Sequence, residues 1–337
     1  MKGIAIAGTI AVDTIKRVKG FPKKSELSSI TSVQQSIGGA VSNCSVALSK
    51  IDKKLPIEIV TLIGNDERGN FIRRYFRRFK NISMDNVQYI GETPFTDVIS
   101  DEVDNSRTFF TYKGNSVLFD EQVLKIENLK SDILHVAYLL LLDALDQEDE
   151  KYGTKLAKLL KEAQDSGIKT SIDIVSENSD RYQKVVPPSL KFTNYCVINE
   201  IEAGRTVGID LRNLNGELRT NRMKEVLDQL KRFGVKDWVI IHSPEGSFGY
   251  DGNQYYSIPS LLIEKRLIKG TVGAGDAYVS GILYGALNGF SIEHSMEIAT
   301  AAAASSLLAE DSTSGIKSYE ELILMYQEVP KRSKMDI

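Results

Sequence analysis

The sequence predicts an α/β protein in which helices cover both faces of a mostly parallel sheet. From residue 131 onward, strand-like and helical segments alternate along the chain, as they do in folds built from βα units. The run at 132–142 is almost entirely apolar, which is typical of a strand buried on both faces. With 337 residues, 42% of them hydrophobic, the chain is long enough for one large α/β domain or two medium ones.

Hydrophobic periodicity assigns the individual segments. Helical spacing predicts helices at 40–50, 67–80, 148–166, 277–288 and 292–308. Apolar runs predict strands at 57–63, 132–142, 169–175, 195–198 and 238–242. The helix at 148–166 should end at Gly167, because glycine commonly terminates helices.

Two segments of the first third, 10–36 and 93–115, have no long helical pattern. The second alternates and is rich in Thr, Val and Phe, which favours hairpins. We therefore expect a small sheet that lies over the ligand-binding edge of the main sheet. Since the chain shows no repeat or linker, the predicted organisation is a single domain at 1–325 with this discontinuous β lid, followed by a C-terminal tail at 326–337.

Charge and composition argue against several functional classes. The formal net charge of −3 offers no cationic surface to nucleic acid, so no nucleic-acid partner is expected. A local basic cluster alternates with aromatic and aliphatic residues, as on the solvent face of an ordinary amphipathic helix. It comprises Arg73, Arg74, Arg77, Arg78 and Lys80.

The cysteines and histidines do not form a recognisable metal or disulfide pattern. Cys44 and Cys196 are not part of a CxxC pair, and the three histidines lie far apart in sequence, which argues against a zinc site. Apolar stretches are shorter than a bilayer span. The expectation is a soluble protein without a membrane partner, located by default in the cytoplasm.

The most informative segment is 270–278, which leads directly into a predicted helix. Gly273 and Gly275 allow a tight turn and close approach to a ligand. The amides of Gly273, Ala274 and Gly275 would then lie at a helix N-terminus, where an anion is favoured. Asp276 would repel phosphate, but it is well placed to take a proton from an attacking hydroxyl. The alternative is that Asp276 only caps the helix.

A second glycine-rich segment begins the first predicted helix. Gly38 and Gly39 again permit close approach of a ligand, and Asn43 offers both a donor and an acceptor to hydroxyls. The alternative is an ordinary glycine turn with Asn43 in solvent.

With these two segments, the chain resembles the ribokinase (pfkB) family of sugar and nucleoside kinases over nearly its whole length. The resemblance implies a three-layer α/β/α sandwich with a β-sheet lid, and transfer of the γ-phosphoryl group of ATP to an acceptor hydroxyl. By similarity, Asp276 is the general base, Gly273, Ala274 and Gly275 form the anion loop, and Thr271 precedes it on the nucleotide side. Asp13, Gly38, Gly39 and Asn43 would bind the acceptor, and Arg107 resembles a lid arginine of some members.

Asn199 and Glu202 resemble the family's NxxE motif, which organises Mg²⁺, water and the triphosphate, so ATP and Mg²⁺ are the implied cofactors. The alternative for Asn199 and Glu202 is that they only cap a helix, since their spacing is also that of a capping pair. The alternative for Asp13 is an ordinary turn residue. Gly270 stands where the family often has an aspartate of the monovalent-cation site, which leaves activation by K⁺ open. In some members of the family the lid forms a homodimer, so the resemblance implies a homodimer through the lid here.

Two functional classes remain at this point. The first is an active sugar kinase, with a nucleoside kinase of the same family as the alternative acceptor class. The second is a non-catalytic sugar-binding sensor, because a fold alone does not fix function. The presence of Asp276 next to an intact glycine loop favours the enzyme.

Overall fold

Residues 3–104, 106–177 and 179–337 are described by a computed structural model of the chain. Within these residues the strands are β1 (Ile4–Gly8), β2 (Ala11–Val18), β3 (Ile30–Gly38), β4 (Ile57–Ile63), β5 (Ile82–Ser83), β6 (Val87–Tyr89), β7 (Phe95–Asp101), β8 (Arg107–Tyr112), β9 (Ile133–Leu139), β10 (Glu148–Asp149), β11 (Gly153–Thr154), β12 (Lys169–Ile174), β13 (Tyr195–Asn199), β14 (Trp238–His242), β15 (Gly246–Tyr250) and β16 (Tyr255–Pro259). The helices are α1 (Ala40–Ile51), α2 (Glu67–Phe76), α3 (Lys155–Asp165), α4 (Tyr182–Leu190), α5 (Glu200–Val207), α6 (Met223–Arg232), α7 (Ala274–Asn288), α8 (Ile292–Ser306) and α9 (Tyr319–Glu328).

The main sheet has ten strands in the order β16-β15-β14-β13-β12-β9-β1-β4-β5, with β6 also paired to β4. All pairs from β14 to β6 are parallel, and β15 and β16 extend the sheet as an antiparallel edge. In the centre, Ile4 of β1 lies opposite Ile57 of β4 and Ile133 of β9. The predicted mostly parallel α/β fold is therefore confirmed.

Two hydrophobic cores separate the layers, one on each face of this sheet. On one face, Ile4 and Ile6 pack with residues of α1, α2, α7, α8 and α9. On the other, Ala5 and Ala7 pack with residues of α3 to α6. Since side chains alternate along a strand, β1 supplies both cores, which is why its sequence is apolar throughout.

Strands β2, β3, β7 and β8 form a separate four-stranded sheet in the order β3-β2-β7-β8. The outer pairs are antiparallel, whereas β2 and β7 run parallel. Asp13 lies between Ser36 and Thr96 in this register. The two segments that lack a helical pattern thus unite in one small sheet, called the lid sheet below, outside the main sheet.

Two predicted helices differ in length from those observed. Only the second part of 148–166 is helical, because 148–154 forms the β10–β11 hairpin and the Thr154 side chain accepts the Ala157 amide as the N-cap of α3. Helix α2 ends at Phe76 rather than at residue 80. At the C-terminus, α9 spans the predicted 325/326 boundary. The residues after it lie along β16, where the Ser257 hydroxyl donates to the Met335 carbonyl oxygen at 2.7 Å.

The longest helices, α7 and α8, have fifteen residues each. In the described part of the chain, no helix combines the length and the apolarity needed to cross a membrane.

Candidate active site

The candidate residues gather at the carboxyl edge of the parallel strands, beside the lid sheet. Tyr138 comes near the end of β9, Asp173 near the end of β12 and Asn199 at the end of β13. Ligands in open α/β sheets bind at this edge, because loops and helix N-termini meet there.

The glycine-rich loop forms the N-terminus of α7. Gly273 is its N-cap residue and has a φ of 83°, and any side chain there would overlap Ser312. The first helical bond runs from the Ala277 amide to the Gly273 carbonyl oxygen at 2.9 Å. The amides that precede Ala277 in the first turn therefore have no partner inside the helix, and with the helix dipole they favour an anion.

Asp276 is the third residue of α7 and only 4% exposed. The Asn43 amide donates to its Oδ2 at 2.8 Å, and the Tyr138 hydroxyl donates to its Oδ1 at 2.8 Å. Burial raises the pKa of Asp276, and these hydrogen bonds oppose the rise. Its described partners come from α1 and β9 rather than from amides of its own helix, which disfavours the simple capping interpretation.

Gly38, Gly39 and Asn43 bring the start of α1 close to the start of the lid sheet. Gly39 has a φ of 90°, and a Cβ there would lie 2.6 Å from the Thr9 carbonyl oxygen. A Cβ on Gly38 would overlap the Asp13 carboxylate. Only glycine therefore fits at position 39, where the start of α1 meets the backbone just before β2.

Asn43 is buried rather than in solvent, so the solvent-exposed alternative is wrong. While its amide nitrogen binds Asp276, its Oδ1 is buried without a hydrogen-bond partner in the described part of the protein. An unpaired buried oxygen is costly. It would be satisfied by a donor hydroxyl that enters beside Asp276.

Asp13 lies at the start of β2 without a salt bridge to any described residue. Burial raises its pKa to about 6, against the effect of the Thr96 hydroxyl. Above that pH it is a carboxylate that can accept hydrogen bonds from two hydroxyls.

Asn199 and Glu202 form a complete capping box at the start of α5. The Asn199 backbone amide donates to Glu202 Oε2 at 3.0 Å, and the Asn199 side-chain amide donates to Oε1 at 2.7 Å. The Ser176 hydroxyl also donates to Oε1, at 2.6 Å. Burial, opposed by these bonds, raises the pKa of Glu202 to about 7. The capping contacts hold the Glu202 carboxylate in a fixed position.

Arg107 and Thr271 are exposed. Arg107 begins β8 and lines the same large cavity as Asp13, although the structure records no contact between their side chains. Gly270 lies against the carbonyl oxygens of Ala309 and Glu310, each 3.0 Å from where its Cβ would be.

Comparison with known proteins identifies the family of the chain. The model of the pfkB family of carbohydrate kinases matches residues 1–318. The chain belongs to the pfkB family.

Two curated relatives align over most of the chain. A nucleoside kinase from Methanocaldococcus jannaschii is 24% identical over 96% of both chains. A 5-dehydro-2-deoxygluconokinase from Clostridium beijerinckii is 26% identical over 82% of this chain and 80% of its own. Among solved structures, a ribokinase from Thermotoga maritima superposes with a TM-score of 0.79 at 18% identity, covering 97% of this chain and 100% of the other. This pfkB kinase therefore has the ribokinase fold, and kinases of this family use ATP.

Asp173 is a candidate residue of this pfkB kinase that the sequence reasoning missed. It is buried, and the pKa of its carboxyl is raised well above the usual value by burial and then by the negative charges of Glu202 and Asp276. Asp173 stands between apolar residues in the second half of the predicted strand. That position is itself a signal, since buried carboxylates are rare unless they are compensated.

The carboxylates of Asp173 and Glu202 fit a hard divalent cation such as Mg²⁺, which prefers oxygen ligands and would relieve their mutual repulsion. Among the described residues, no three metal-ligating side chains converge closely enough to hold an ion by themselves. That agrees with Mg²⁺ chemistry, because Mg²⁺ usually keeps several waters and binds phosphate oxygens.

Proposed function

We propose that this pfkB kinase moves the γ-phosphoryl group of ATP onto a hydroxyl of a sugar or sugar-like acceptor, with Asp276 as the general base. The observation that supports this proposal most directly is the position of Asp276. Its buried carboxylate lies on the same helical turn as the unpartnered amides of the glycine loop. Proton removal and anion binding therefore converge on one turn of α7.

In this mechanism the acceptor hydroxyl enters beside Asp276 and gives its proton to the carboxylate as its oxygen attacks the γ-phosphorus of ATP. The bond from that phosphorus to the β–γ bridging oxygen breaks, and ADP leaves. The orphaned Oδ1 of Asn43 accepts a second hydrogen bond from the acceptor. The amides of the Gly273–Gly275 loop, Ala274 included, hold the charge that develops on the transferring group. The hydrogen bonds from Asn43 and Tyr138 favour the ionised form of Asp276 and orient its carboxylate.

Mg²⁺ would neutralise charge between the phosphates of ATP. We assign its positioning, largely through water, to Asn199 and Glu202. The charge of Asp173 interacts with that of Glu202, so both carboxylates would attract the cation. Thr271 and the amides of Gly273 and Gly275 would contact the nucleotide phosphates. A K⁺ site in this protein would lack a carboxylate ligand at position 270, which is a glycine.

The acceptor is proposed to lie between the body and the lid sheet. Asp13 and Asn43 would bind its hydroxyls, Gly38 and Gly39 would form the floor, and Arg107 would reach it from the lid. The named relatives act on a nucleoside or on 5-dehydro-2-deoxygluconate, so a nucleoside acceptor is the second candidate. A binding protein without turnover is the third.

An ATP-consumption screen over free sugars, sugar acids, sugar phosphates and nucleosides tests this proposal. We expect acceptor-dependent ADP formation with stoichiometric phosphorylated product. Tight binding of a sugar with no ADP formed would contradict the kinase and support the sensor.

We also propose a homodimer through the outer face of the lid sheet, and activity in the cytoplasm, where ATP is available. Val33 and Phe110 on that face are 60% and 56% exposed, and β8 is an edge strand of the described sheet. Exposed apolar side chains on an unpaired edge favour association. Sedimentation of Phe110→Asp against the natural protein tests the dimer, and a monomeric natural protein would contradict it.

A further inference from the structure

A cavity of about 860 Å³ lies between the inner face of the lid sheet and the body. Asp13, Ile15 and Arg17 of β2 line one wall, where alternate residues of a strand share a face. The opposite wall is the face of α2 that carries Phe71, Arg74 and neighbouring side chains. The cavity therefore begins at Asp13 and extends along the lid.

The lining carries more positive than negative charge. Its cations are Arg17, Lys50, Arg74, Arg78, Arg107 and Lys269, whereas its carboxylates are Asp13, Glu310 and Asp311. An aqueous cleft with one predominant sign of charge attracts a ligand of the opposite sign.

The carboxylates compensate these cations only in part. Asp311 is engaged by its own loop, where it accepts the Thr313 amide at 2.9 Å and the Ser314 amide at 2.6 Å. Glu310 reaches only Arg17, at 4.0 Å.

Five of the six cations have no carboxylate within 4 Å in the described residues; they are Lys50, Arg74, Arg78, Arg107 and Lys269. Burial lowers the pKa of Lys50, and the negative charge of Asp311 opposes that shift by more than the positive charge of Arg78 adds to it.

The strand register shows where the positive charge concentrates. Arg17 lies opposite Ser100, and Ser100 lies opposite Arg107, so the two arginines share one row across the lid sheet. That row is four residues from Asp13, about 13 Å at 3.3 Å per residue. Arg74, near the end of α2, and Arg78, in the turn that follows the helix, line the opposite wall.

We propose that the acceptor carries an anionic group, a phosphate monoester or a carboxylate, at the end remote from the hydroxyl that reacts. Asp13 holds hydroxyls at one end of the cavity, and arginines from both walls bind the anion at the other. Arginine suits this role because its planar guanidinium binds carboxylate and phosphate through two parallel hydrogen bonds. The inference rests on the proposed phosphotransfer and specifies its substrate class.

The test compares neutral monosaccharides with their phosphate monoesters and aldonic acids, measured as kcat/KM. We expect the natural protein to prefer an anionic acceptor over its neutral counterpart. In Arg74→Gln and Arg107→Gln, that preference should fall by about tenfold to hundredfold, mainly through KM, which corresponds to loss of a hydrogen bond to a charged group. Which anionic series is preferred distinguishes a phosphate from a carboxylate.

Arg77→Gln is the matched control. It removes the same charge from the end of the same helix, but Arg77 does not line the cavity, so the preference should stay unchanged. Preference for neutral acceptors, or the same loss of preference in all three variants, would overturn the inference.

Calorimetric binding of the same sugars separates this inference from the proposed function. Arginine-dependent binding of an anionic sugar without any turnover would support the inference and contradict phosphotransfer. Turnover confined to neutral sugars would support phosphotransfer and overturn the inference. Absence of both binding and turnover for every anionic sugar would also overturn it.

Discussion

Tyr138→Phe should shift the pH dependence of catalysis without removing a group that touches the phosphates. The Tyr138 hydroxyl donates to Asp276 at 2.8 Å and so lowers the pKa of a carboxyl that burial raises. A hydrogen bond to a charged group is worth about 1.5–3 kcal/mol, and 1.36 kcal/mol corresponds to one pKa unit. The substitution should therefore raise the pKa of Asp276 by about one to two units.

Because the base must be ionised, the acid limb of the kcat/KM profile should move to higher pH by the same amount. At a pH well above both pKa values, turnover should approach that of the natural protein. Tyr278→Phe is the control, since the Tyr278 hydroxyl is buried but has no hydrogen-bond partner in the described structure. An unmoved acid limb in Tyr138→Phe, with only a lower melting temperature, would refute the reasoning.

Three further predictions follow from the other buried carboxyls. Asp13→Ala should weaken acceptor binding by about 1.5–3 kcal/mol and leave ATP affinity intact; in the natural protein, acceptor KM should fall as pH rises through about 6, where Asp13 ionises. Glu202→Gln should raise the Mg²⁺ concentration needed for half-maximal rate and depress turnover more than acceptor binding, and an unchanged Mg²⁺ titration would count against it. Asp173→Asn should raise the melting temperature at pH 8 but not at pH 4. The pKa of Asp173 is raised in the folded state, so this residue reduces the stability of the fold as pH rises. Equal changes in melting temperature at both pH values would contradict this.

The glycine segments could be interpreted from the sequence because their chemistry is local. Gly273 and Gly39 each begin a helix, and each adopts a positive φ that few other residues accept. The NxxE spacing was compatible with both a capping box and a phosphate role. The structure contains the capping box, and its contacts orient the carboxylate that the other role requires.

Residues that act through tertiary contacts were beyond sequence reasoning. Tyr138 lies in an apolar run, where nothing marks its hydroxyl as a partner of Asp276. The sequence assigned Arg74 to the solvent face of a helix, and only the fold shows that Arg74 lines one cavity with Arg107, which the sequence had placed in the lid. The start of α3 was misjudged because the charged residues before Thr154 resemble a helical solvent face, although they form a hairpin.

The most direct test of the central claim is the turnover of Asp276→Asn beside its melting temperature and its ATP affinity. The new amide matches the carboxylate in size, and the Tyr138 hydroxyl can rotate to accept from it. Removing a buried carboxyl with a raised pKa should leave the fold at least as stable at neutral pH. Loss of a general base usually costs about 10²–10⁴-fold in rate. The account predicts that kcat falls by that factor while folding and nucleotide binding persist, and near-normal turnover would contradict it.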